Sequence, residues 1–172
     1  MKKASLFLLT IIFAMSFTSC KKNYTKEFIG DYTFKTSGTI ELITESTSNT
    51  ISLKNEIGQL NIVDVGDDTK VMVVKNVLTG DIYTYEATCK EDEIFFDPVT
   101  MEREIKLGSV SGILEVTTVA SGKLYYDKKE KRNKIIIKEE LSGHLKGSFN
   151  DHETNGYIKN SDVTTIATLN KE

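Results

Sequence analysis

From Phe28 to the C-terminus, hydrophobic and polar positions alternate in short runs. Successive side chains of a strand point to opposite faces, so each run predicts a β-strand with one face in a core and the other in water. The clearest run is Met101 to Leu107, where Met101, Ile105 and Leu107 share one face and Glu102, Glu104 and Lys106 the other. From Asn133 to Leu141, the residues Ile135, Ile137 and Leu141 oppose Lys134, Lys138 and Glu140. Phe28, Gly30, Tyr32 and Phe34 oppose Asp31, Thr33 and Lys35, and Ile40 and Leu42 continue after a turn at Ser37-Gly38. Near the end, Val163, Thr165, Ala167 and Leu169 oppose Asp162, Thr164 and Thr168. Further runs cover 51–53, 60–65, 71–77, 82–89, 93–96, 113–120 and 124–127. Gly66-Asp67-Asp68, Thr79-Gly80, Ser121-Gly122 and the charged stretch 127–133 read as turns between them, and 44–50 as a polar loop or strand end.

About ten to eleven short strands at this spacing, with little helix, predict an all-β domain. Mostly sequential hairpins favour a single antiparallel meander β-barrel, because closure removes exposed strand edges. A two-sheet sandwich would show the same alternation. No linker-like stretch or repeat interrupts residues 27–172, so they form one domain.

The first residues follow a different pattern. Met1-Lys2-Lys3 precedes an apolar run from Leu6 to Phe17, broken only by Thr10 and Ser16, and small residues lead to Cys20. A positive start, a short apolar stretch and small residues before a cut define an export signal, and the run is too short for a transmembrane helix. Phe17-Thr18-Ser19-Cys20 resembles the lipobox of bacterial lipoproteins, with Phe17 where Leu is most usual. That resemblance implies a signal peptide over residues 1–19, cleavage before Cys20, and a diacylglyceryl thioether and an acyl chain such as palmitate on Cys20. Residues 20–26 would then be the lipidated cysteine and its tether. The mature protein would be anchored to the cell envelope at the outer membrane, on a leaflet the tether does not specify.

Composition narrows the partners. Loss of Lys2 and Lys3 takes the net charge from −3 to −5. The remaining cations are nearly all Lys, with Arg103 and Arg132 the two arginines, an ill-suited set for reading phosphates or base edges, so nucleic acid is not an expected partner. With Cys20 used by the anchor, Cys89 has no intramolecular disulfide partner and reads as a buried thiol.

Phe28-Ile29-Gly30-Asp31-Tyr32 resembles the Gly-x-Trp-like opening of lipocalin-like, or calycin-like, domains, with Tyr32 in place of Trp. Together with the lipobox and the strand-rich meander, the chain resembles small calycin-like lipoproteins of the Bacteroidetes type. The resemblance implies a cup-shaped barrel that holds a small hydrophobic or amphipathic ligand. The helix and disulfides of true lipocalins have no counterpart here.

No Gly-x-Ser-x-Gly occurs, and His144 and His152, with seven residues between them in a Gly-rich polar hairpin, match no zinc spacing. The acids of Asp64 to Asp68 lack a calcium loop's ligand alternation and read as a solvated turn. The expectation is therefore a non-enzymatic protein without metal or cofactor. Two charges break the apolar phase: Arg103 lies in register with Met101, Ile105 and Leu107, and Glu139 with Ile137 and Leu141. A charge on an inward face needs a partner, a ligand or water at a strand end. In calycin-like barrels an interior Arg holds a ligand carboxylate, which that resemblance assigns to Arg103. Tyr32, Phe34, Tyr83, Tyr85 and Glu139 complete the candidate ligand site. The alternative is a solidly packed barrel that works through its outer surface, as an accessory subunit of an envelope complex with an unidentified protein partner.

Overall fold

A computed structural model of the chain describes residues 22–45, 47–107, 110–149 and 152–171, without the side chains of residues 54, 55, 107 and 149. Cys20 and the export segment lie outside the described residues. Eight antiparallel strands follow in chain order: β1 (Gly30–Thr44), β2 (Ser48–Asp64), β3 (Lys70–Val77), β4 (Ile82–Lys90), β5 (Glu93–Leu107), β6 (Val110–Asp127), β7 (Arg132–Phe149) and β8 (His152–Leu169). Each pairs with the next, and β8 returns to β1, from Tyr32 opposite Leu169 to Thr44 opposite Gly156, so the meander closes into a barrel. The described residues contain no helix.

The expected ten to eleven short strands are thus eight, most of them long. Runs that looked separate are halves of one strand joined through an irregularity. Ser37-Gly38 is not a turn: β1 runs through it, with a register shift against β2 between Thr36 and Gly38. Ser121-Gly122 lies inside β6, where the missing side chain of Gly122 admits Ile94, Ile135 and Ile137. The runs at 93–96 and 101–107 join across Asp97-Pro98, where β5 shifts register against β6 between Phe96 and Val99. Two more shifts lie in β8, against β1 between Glu41 and Leu42 and against β7 between Glu139 and His144. A β-bulge bends its strand and locally increases its twist, so these shifts re-aim the wall partway up the barrel.

The interior divides accordingly. One apolar cluster contains Phe28, Tyr32, Phe34, Leu60, Val73, Cys89, Ile94 and Ile135. A second contains Ile40, Leu42, Val110, Leu114, Leu145 and Val163. β3 and β4 are only 8 and 9 residues long, against 15 to 18 for the other strands. β2 pairs with β3 only from Gly58 onward, and β4 with β5 only over Ala87–Lys90. The wall is therefore split beside the β3–β4 hairpin.

The chain enters at the opposite end, here the base. Asn23 Oδ1 accepts from the backbone N–H and hydroxyl of Thr25, at 3.0 and 2.8 Å, and its Nδ2 donates to Asp68 Oδ1 at 3.0 Å. The Tyr24 N–H donates to the Asp68 carbonyl at 2.8 Å. This ties the entry to the β2–β3 turn and holds Phe28 as a fully buried plug. The Tyr32 hydroxyl donates to the Phe28 carbonyl at 2.8 Å, so the Gly-x-Tyr opening closes the base.

Cys89 is buried in the lower cluster, and burial pushes its thiol up to about 11. A thiol raised above its unfolded value near 9 stabilises the fold fully below that pH and loses the contribution as pH rises toward 11. The two-unit shift corresponds to about 3 kcal/mol. Burial also raises the Tyr32 and Tyr85 hydroxyls above 10, so urea unfolding at stepped pH should show a fall in stability between about pH 9 and 11 that is smaller in Cys89→Ala than in the wild type by about this amount, the difference opening from pH 9. An equally steep profile in the variant would remove Cys89 as the cause.

Candidate functional site

The split between β4 and β5 exposes a polar layer between the two apolar clusters. Arg103, on β5 beyond the bulge, reaches back to β4: its Nη2 donates to the Tyr83 hydroxyl at 2.8 Å, and its guanidinium carbon lies 5.3 Å from the Tyr83 ring centroid. Its Nε lies 3.3 Å from Met101 Sδ. Tyr83 and Tyr85 sit with ring centroids 6.5 Å apart, and Tyr85 meets Phe96 edge-on at 6.0 Å. Arg103 and these rings bridge strands that have stopped pairing.

Deeper in, Glu139 Oε1 accepts from the Thr165 hydroxyl at 2.7 Å, and Thr165 shares a short hydrogen bond with Thr36. Both threonines are buried. On the other side, the buried Lys75 pairs with Glu56 at 2.8 Å and sits 4.9 Å over the Phe34 ring. Each charge is thereby met by a counter-charge, a hydroxyl or an aromatic face, as a low-dielectric setting requires. Tyr85 is pushed up to about 12, first by burial and then by the Glu139 carboxylate, so it is a neutral hydrogen-bond donor at physiological pH.

Of the sequence-predicted residues, Arg103, Tyr83 and Tyr85 form the rim, and Glu139 reaches the cavity that Tyr85 lines. Phe34 backs Lys75, while Tyr32 lies apart, committed to the base through Phe28. Arg103 is exposed at the rim, not held on the apolar inner face, because β5 turns away from β4 after Phe96. Lys75 was missed, although Val71, Val73 and Val77 on β3 put it on an apolar face by the same phase argument that singled out Arg103. Glu56 adjoins the β1–β2 register shift, which hides its phase. His144 and His152 are exposed on β7 and β8, and no group of metal-ligating side chains assembles among the described residues.

The cavity in this layer measures about 30 Å³ and is lined by Leu60, Lys75, Tyr85, Phe96, Glu139 and Thr165 among others. That is room for one or two waters, against about 300 Å³ at the small end of ligand pockets. A more open groove, about 590 Å³, lies at the β2 edge beside the β3–β4 hairpin, lined by Ser52, Leu53, Glu56, Ile57, Val77, Leu78 and Thr79. The described residues thus define an eight-stranded meander barrel, consistent with a calycin-like fold, with a filled interior and a polar split in its wall. No family model matches this sequence, and no curated protein is significantly similar to it.

Proposed function

We propose that this chain is a lipid-anchored envelope barrel that works as a non-enzymatic interaction module, docking an extended segment of a protein partner along the edge of β2. The observation that carries this reading is the stretch of β2 that β3 leaves uncovered, bordered by a groove of about 590 Å³, while the cavity in the polar layer has room only for water. Beside that groove β2 has β1 on one side, but β3 joins the other side only at Gly58 and the Leu78 N–H donates to the Ile57 carbonyl at 2.9 Å, so the β2 edge is without β3 before Ile57. Leu78 is 77% exposed and Ile57 43%, an apolar floor next to a strand edge. An incoming strand gains affinity from main-chain hydrogen bonds and specificity from side chains set into such a groove. The export signal and Cys20 supply the anchor in this reading, in keeping with the resemblance to calycin-like lipoproteins.

A photo-crosslinking residue at Leu78 in the full-length protein, expressed in its native envelope, tests this. The expected result is one discrete protein adduct that disappears in Ile57→Asp, while the same probe at the exposed Val119, on β6 across the barrel from β2, gives none. Diffuse labelling at both positions overturns the reading. So does an amphipathic small molecule that stays bound in native mass spectrometry and is lost in Arg103→Ala, which would return the function to the polar split.

A further inference from the structure

The position of the chain entry sets the barrel's orientation. Lys22, two residues after Cys20, stacks on Tyr24 at 5.2 Å, and Asn23 and Tyr24 are tied to Asp68. Two residues span at most about 7 Å, similar to the thickness of one headgroup layer. We infer that the base of the barrel rests on the phospholipid surface, with the β3–β4 hairpin and its groove turned away from it. This rests on the lipid-anchor reading above.

The surface around the base fits that partner. At the base end of β2 and β3 the exposed apolar residues are Val63, Val65 and Met72, with Val63 opposite Met72 in the ladder. Across the barrel, at the end of β6, Tyr125 and Tyr126 are exposed, Tyr126 at 58%. Aliphatic and tyrosine side chains on two opposite walls give the base two apolar footholds, and tyrosine favours the membrane–water boundary. Charges of both signs stand nearby: Lys134 pairs with Asp127 at 2.7 Å and also with Glu130. Lys70, exposed at the start of β3, directly follows the β2–β3 turn with its acids Asp64 and Asp67. Contact is therefore driven by tether length and apolar side chains, not by a polybasic patch, and it is insensitive to salt.

The test uses full-length lipidated protein in phosphatidylcholine vesicles that carry nitroxide-labelled headgroups. Fluorophores are attached at Tyr126→Cys, Val65→Cys or Thr79→Cys in a Cys89→Ala background. Quenching should be several-fold stronger at positions 126 and 65 than at 79, and unchanged between about 0.05 and 0.5 M salt. Equal quenching at all three positions, or quenching at the base that vanishes with salt, overturns this inference alone. An intact mass that shows no lipid on Cys20 overturns the anchor reading and the inference together.

Discussion

Gly38→Ala should destabilise the barrel by about 4 kcal/mol in urea unfolding, an unusually large effect for adding one methyl group. Two costs coincide at this position. Its φ of +151° lies where side-chain-bearing residues rarely go, and such strain costs roughly 1–3 kcal/mol. A Cβ there would also stand 2.0 Å from the Asp162 carbonyl oxygen and 2.7 Å from the Val163 Cα. These are backbone atoms of β8 held in a ladder, so they cannot rotate away. Overpacking of this kind adds about 1–3 kcal/mol. Gly66→Ala isolates the first cost: its φ is +78°, and nothing lies within 4 Å of the added Cβ, so about 1 kcal/mol is expected. If the two variants lose the same amount, the close approach of β1 and β8 is not a constraint on the fold.

The same glycine shows where sequence patterning reaches its limit. Alternation along 30–35, 101–107, 133–141 and 163–169 is enough to reveal strands, their inward faces and the all-β class. It does not distinguish a glycine that ends a strand from one that lets two strands cross closely, because both interrupt the pattern in the same way. Gly38 is of the second kind, and Gly122 makes room for core isoleucines inside β6, which is why eight long strands looked like more short ones. For the polar layer, phase was informative wherever the strand is regular: Glu139 on β7 and Lys75 on β3 both stand out against apolar neighbours. It failed beyond bulges. Arg103 keeps its place in the alternation, but the irregularity at Asp97-Pro98 redirects β5, so the side chain meets Tyr83 at the rim. That contact joins residues twenty apart across strands that do not pair there, and no local pattern encodes it. The filled interior is equally invisible to alternation, since a packed core and a ligand cup have the same inward residues.

Whether the interior is filled turns largely on Phe34, and Phe34→Ala should cost about 4 kcal/mol, within the 3–5 usual for removing a buried aromatic ring. The side chain is 1% exposed. Its edge covers Gly58, where an added Cβ would come within 2.8 Å of the ring, and its face carries the Lys75 ammonium at 4.9 Å. Truncation therefore removes apolar burial and a cation–π contact together, and leaves Lys75 with Glu56 alone. Phe34→Leu retains most of the burial but no aromatic face, and should recover more than half of the loss. A double-mutant cycle with Lys75→Met would then assign about 1 kcal/mol to the ammonium–ring pair. Because Lys75 also lines the small cavity beside Tyr85, the void left by Phe34→Ala would open onto polar groups and take up water. An alanine variant within about 2 kcal/mol of the wild type would mean that the ring is not a structural filler. The barrel would then have room to yield to a ligand, and the case for the outer groove as the working surface would fail at its first step.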